Sequence, residues 1–299
     1  MALKEQFMIK TVEGATDLEL QADSGESFLV KDILVDNPAS NYATVKVDKT
    51  TVGYFRVGGV LGNHLAVPPA DTYKKSLLGY LFEKGIWRGI PVPEGSKLTI
   101  SGVAQSGAKQ IVVYEVYDGG DITPVMPNGA KSEEYDFINY GRPSSAPTDG
   151  DNFYDDSQNP VEFPAFPFGD DVPSKKVIDI FGILGSDFGK TSGTAANKQI
   201  TKYLKWVRER TTLFDDDGNG IVMTGVAPSD DGSNVGQGVS LIGNYSDVDY
   251  RLPFLFKNPL SFVAGEELNI YVITSVEAGS ANFTADEVEI GLIMRVRPA

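Results

Sequence analysis

SFLVKDILVDNP (residues 27–38) and SKKVIDIFGILGSD (174–187) decide the reading of this chain. Each opens on a serine, runs through Val, Ile, Leu and Phe around one aspartate, and ends in turn residues. That is how a β-strand reads: β-branched and aromatic side chains, closed by Gly, Pro, Asn or Asp. Asp32 of the first falls on Asp179 of the second in the simplest alignment.

Working outward, three more pairs of segments follow in the same order. VKVDKTTVGYF from Val45 matches LKWVRERTTLF from Leu204, each with a Thr-Thr pair ahead of an aromatic. IPVPEGSKLTISGV from Ile90 matches LSFVAGEELNIYVITSV from Leu260. Both place a turn glycine, Gly95 or Gly265, before an alternating strand: Leu98 and Ile100 in one, Leu268 and Ile270 in the other. KQIVVYEVYD from Lys109 matches DEVEIGLIMRVRP from Asp286. Any one pair is weak evidence, since strands resemble one another; four in one order predict a structural repeat. Helical periodicity is confined to residues 73–84 and 195–210, and the second also suits a long strand.

The expected fold is therefore all-β: two tandem antiparallel β-sandwich or jelly-roll domains with long loops and few helices. Residues 1–120 form the first domain and 174–299 the second. The connecting segment, 121–173, is acidic and rich in Pro, Gly and aromatics. Within it, GRPSSAPTDGDNFYDDSQ reads as a surface loop or linker. NPVEFPAFPFG alternates Pro with Phe, which excludes a central strand and predicts an extended segment pinned by Phe163, Phe166 and Phe168.

Composition narrows the function. The 299 residues carry 26 Lys and Arg against 41 Asp and Glu, a net charge of -15. An acidic surface disfavours sequence-independent binding to nucleic acid, which needs basic residues facing phosphates. With no cysteine, disulfides, thiolate catalysis and zinc–cysteine sites are excluded. The start, MALKEQFMIKTVEGA, lacks the apolar core of a secretory signal, so a soluble protein made in a cytoplasm is expected. No run reaches the about 18 apolar residues of a membrane span.

Chemical motifs are few. GSDFGKTSG, after the strand ending at Leu184, imitates a phosphate-binding loop but lacks its glycine spacing. FDDDGNG is the one metal candidate. Asp215, Asp217 and Asn219 stand at alternating positions, as the oxygen ligands of a calcium loop do. Val226 occupies the position where a closing carboxylate belongs, so the segment also reads as a plain hairpin turn. A calcium ion there would brace a loop; no other cofactor is expected. The single histidine, His64, has no nucleophile-elbow serine to serve, so no catalytic residue is assigned. Trp87 and Trp206 have two readings, a sugar-stacking platform or packing in a core. YRLPFLFKNPLSF, from Tyr250, carries more apolar surface than a small domain needs outside its core, and predicts a subunit contact.

By the two β-rich halves, 28–118 and 177–297, and their decorated connection, the chain resembles the double jelly-roll major capsid proteins of membrane-containing icosahedral viruses. The resemblance rests on architecture and repeat. It implies a structural virion protein with two eight-stranded sandwiches side by side, three copies forming a capsomer. It also implies contacts with other capsid proteins and an inner viral membrane, and neither a specific nucleic acid nor a small-molecule substrate. Two other classes fit an acidic β-sandwich: a carbohydrate-binding or adhesin-like module, and a glycoside hydrolase or lyase working through two carboxylates.

Overall fold

A computed structural model describes residues 3–39, 42–56, 77–119, 134–141, 150–152, 166, 171–185, 200–214, 253–275 and 290–299. Among them stand sixteen strands and one short helix, so the chain is all-β. The first half supplies β1 (Leu3–Glu13), β2 (Leu18–Gln21), β3 (Glu26–Asp36), β4 (Tyr42–Val47), β5 (Thr50–Arg56), α1 (Leu77–Glu83), β6 (Ile90–Val92), β7 (Lys97–Ser101) and β8 (Lys109–Asp118). The second supplies β9 (Tyr135–Gly141), β10 (Asp151–Asn152), β11 (Lys176–Gly185), β12 (Ile200–Arg208), β13 (Thr211–Phe214), β14 (Phe254–Val263), β15 (Leu268–Ser275) and β16 (Ile290–Pro298).

The sheet orders make each half a jelly roll. In the first, β1-β8-β3-β6 faces β2-β7-β4-β5; in the second, β9-β16-β11-β14 faces β10-β15-β12-β13. Strand for strand these orders are the same, which is the repeat foreseen from sequence. Four of these rows do not stay four separate sheets. The β2-β7-β4-β5 row of the first roll and the β9-β16-β11-β14 row of the second join edge to edge into one eight-stranded sheet. The join is a parallel pairing of β5 with β9 at Tyr54 and Asn139.

The repeat reaches the irregularities. A bulge interrupts β3 between Val30 and Asp32, and β11 between Ile180 and Gly182. The β4–β5 ladder slips at Val45 and Lys46, the β12–β13 ladder at Trp206 and Val207. Asp48 and Glu209 both turn with a φ of 52°. Their backbone amides donate to Lys97 O and Glu267 O, and their carboxylates accept from the Lys97 and Glu267 amides in return. Gly95 N donates to Ala22 O and Gly265 N to Val172 O, both at 2.9 Å. The bulges correct one detail of the sequence alignment: Asp179 corresponds to Leu29 rather than to Asp32, whose counterpart is Gly182. Both strands carry the bulge at the same place, so they align without a gap, and matching the two aspartates by identity set the alignment three residues off.

Two hydrophobic cores follow. One is built on Leu18, Val30, Val45, Leu98, Ile100, Val112 and Trp87. The other is built on Phe166, Ile180, Trp206, Phe262, Ile270 and Met294. The central sheet serves both from opposite faces. Phe137 of β9 and Leu292, Met294 and Val296 of β16 enter the second core, while their alternates Ile138, Tyr140 and Ile293 enter the first. Strands so covered show no polar face.

Residues 121–173 are thus not all linker, since β9 and β10 open the second roll there. Phe166 is the described part of the Pro–Phe segment; it is fully buried with its ring 5.3 Å from Phe262. Of the two helical windows, 73–84 yields α1, whose Leu77, Leu78 and Leu81 share one buried face. Window 195–210 yields strand β12.

After α1 the chain turns sharply to run along β3. Gly89 (φ 106°) sits where an added Cβ would lie 2.7 Å from Val30 O and 3.0 Å from Leu29 Cδ1. Left-handed backbone and a backbone clash act together, so Gly89→Ala is expected to destabilise the fold by about 2 to 4 kcal/mol in denaturant titration. An alanine at Gly85 (φ 72°), where nothing lies within 4 Å, should cost only the backbone part.

Candidate functional site: the seam between the rolls and the open first strand

Where the rolls join, one buried polar cluster is assembled from four elements. β9 contributes Asp136, with Glu134 just ahead of it; β16 contributes Arg295 and Arg297. The connection from α1 to β6 contributes Ile86 and Arg88, and β11 contributes Asp179. Asp136 and Arg295 are both nearly inaccessible to solvent. Arg295 Nε donates to Asp136 Oδ1 at 2.7 Å, and its terminal nitrogen donates to Ile86 O at 2.6 Å. The guanidinium lies 4.7 Å from the Phe181 ring centroid. The other oxygen of Asp136 accepts from the Arg88 amide at 2.7 Å, and the Arg88 guanidinium donates to Glu134 at 2.7 Å.

Burial pushes the Asp136 carboxyl above the ordinary carboxylate range, and Arg295 with the Arg88 amide pulls it back. Beside it, Arg297 donates to both oxygens of Asp179, at 2.7 and 3.3 Å, and Ser261 Oγ donates to Asp179 at 2.5 Å. This Asp179 contact, with burial opposing it and Glu134 adding to it, raises the already high Arg297 pKa.

Both oxygens of Asp136 and of Asp179 thus have donors, and the donors come from separate elements. The chemistry of such an arrangement is fastening: β9, β16 and the α1–β6 connection are tied at one point. Buried ion pairs add little net stability but are costly to break, because a lone buried charge is left behind.

The second notable surface is β1. It pairs with β8 on one side, and among the described residues nothing pairs with its other edge. Phe7 is 72% exposed and Ile9 61%; Leu3 and Met8 are exposed as well. Apolar side chains on an open, eleven-residue edge strand are a template for pairing with another chain.

The residues singled out from sequence fall as follows. Trp87 and Trp206 are buried, one in each core, so packing is their role and the sugar-stacking platform is excluded. Asp215, Asp217 and Asn219, the calcium candidate, lie outside the described residues, as do His64, Phe163, Phe168 and the GKTSG segment. Among the described residues no group of three or more His, Cys, Asp or Glu could hold a metal ion. Residues 254–262 of YRLPFLFKNPLSF lie in β14, the end strand of the central sheet among the described residues, and residues 250–252 lie outside the described residues. Phe254, Phe256 and Leu260 pack against the second core, and the exposed stretch is Lys257, Asn258 and Pro259. The seam residues carried no sequence signal, because their partners come together only through the topology.

No helix among the described residues is long and apolar enough to cross a membrane. No protein-family model matches the chain, and no curated protein matches it. Among solved structures, the crystal structure of an IolB-like protein from Salmonella typhimurium LT2 aligns with 98% of this chain and 82% of that one. The identity is 10% and the TM-score 0.20, a likeness that carries no argument about fold or activity.

Proposed function

We propose that this chain is a structural, self-assembling protein of a virus shell, a major capsid protein whose copies associate into capsomers. The observation that carries the reading is the pair of jelly rolls fused through one continuous sheet, pinned at the seam and ending in an open apolar strand. A two-roll block sharing one sheet, with an exposed apolar end strand, suits assembly better than turnover. Both carboxylates of the polar cluster at the seam are met by internal donors, which suits a role in the block's shape.

Light scattering after size exclusion, with and without calcium, tests the reading. The expected result is a discrete trimer or larger closed oligomer at micromolar concentration, visible as regular particles by electron microscopy. A protein that stays monomeric in both conditions would overturn it.

A further inference from the structure

The internal seam is a template for the contact between chains. Within one chain, the fifth strand of the first roll, β5, lies beside the first strand of the second, β9. Among the described residues, the equivalent strands at the two far ends have no partner on their outer edge. These are β1, first strand of the first roll, and β13, fifth strand of the second; each is the last strand of its sheet. We propose that β13 of one copy pairs with β1 of the next, in parallel, repeating between chains the β5–β9 join made within each chain. The partner is a second copy of this protein, and the contact is heterologous. This inference rests on the self-assembly reading and names the surfaces it uses.

Equivalent positions carry the argument. In the second roll Ile138 of β9 is paired with Ile293 of β16; in the first, Ile9 of β1 is paired with Val113 of β8. Val113 and Ile293 follow the same bulge in their partner strands, opposite Asp32 and Gly182. Ile9 is thus the counterpart of Ile138, yet Ile138 is fully buried and Ile9 is 61% exposed. The same relation holds on the other side of the seam. The Thr-Thr pair of β5 corresponds to that of β13, after matching turns at Asp48 and Glu209. Thr51 is buried, whereas Thr212 is exposed and Leu213 and Phe214 are half-buried. Both open strands thus carry side chains suited to a contact that their counterparts already make. Lys10 of β1 takes the place of Asn139, the residue paired with Tyr54.

A heterologous contact of this kind closes into a ring or continues as a filament, according to the rotation between successive rolls. Pairing of β1 with β1 of another copy would instead give an isologous dimer, and the two arrangements can be told apart.

The chain has no cysteine, so cross-linking can be read without background. Phe7→Cys and Thr212→Cys are both substitutions at exposed positions. Mixed and oxidised, the two single variants are expected to give a covalent dimer containing one of each, while Phe7→Cys alone gives none. Ile9→Lys, also at an exposed position, is expected to weaken association about tenfold or more with an unchanged melting temperature of the monomer. Cross-linking of Phe7→Cys to itself would overturn the proposal in favour of isologous pairing. Oligomers that neither cross-link in the mixture nor respond to Ile9→Lys would overturn the β1–β13 contact while leaving self-assembly standing. A wild-type chain monomeric at every concentration would remove both.

Discussion

Arg295→Ala is expected to lose about 3 to 5 kcal/mol of unfolding free energy, read from denaturant titration. The guanidinium donates to Asp136 and also holds Ile86 O. Alanine leaves a carboxylate and a carbonyl buried with fewer donors, and removes the cation from the Phe181 face. The loss should depend on pH with a definite sign. Burial already places Asp136 above its ordinary range, and removing Arg295 raises it further. A raised carboxyl is protonated in the folded state and stabilises it below the unfolded pKa near 4; that contribution disappears as pH climbs through the folded pKa. The deficit of Arg295→Ala against wild type should therefore be small in acid and grow toward neutrality. A deficit independent of pH would mean that Asp136 does not sense the arginine. Asp136→Leu in the Arg295→Met background should recover much of the loss, since an apolar pair of similar size leaves no lone charge.

Trp206→Ala is the second large effect expected, again about 3 to 5 kcal/mol. The indole is fully buried in the second core, edge-on to Phe214 and Phe256 with ring centroids at 5.9 and 6.0 Å. Phe214 belongs to the short edge strand β13, which is paired with β12 at Trp206 itself. The cavity should therefore free β13 before it frees the rest of the roll. Hydrogen exchange is the measurement: amides of β12, β13 and β15 lose protection first, and those of β3 and β8 in the other roll change least. Uniform loss across both rolls would show that the cores unfold as one unit.

How much of this was legible in the sequence depends on which faces a strand buries. β7 and β15 were legible as strands, because Leu98 and Ile100, and Leu268, Ile270 and Val272, alternate with less buried residues. Turn glycines at 95 and 265 marked their starts, both at positive φ. β9 was missed for the opposite reason. Both its faces are covered, so Asp136 and Asn139 are buried alongside Phe137, Ile138 and Tyr140 and no alternation survives. β1 was missed because its described side chains other than Val12 lie in the open and its ladder is bulged. The seam cluster was invisible, since Asp136 and Arg295 are far apart in the chain and only the joining of two sheets brings them together. The tryptophans had two readings in sequence, and burial decided between them.

The shared sheet also fixes an order of events during synthesis. The first roll has all its strands by Asp118, before any of the second has been made. At that moment β5 is an outer strand, its neighbour on the far side still within the ribosome. Buried residues such as Thr51 and Val52 belong to that strand, and a nascent chain that exposes it can pair with another nascent chain. The arrival of β9 ends the hazard by capping the edge. Slowing translation between residues 119 and 134 would therefore be expected to lower the soluble yield, and supplying the second half in trans to raise it.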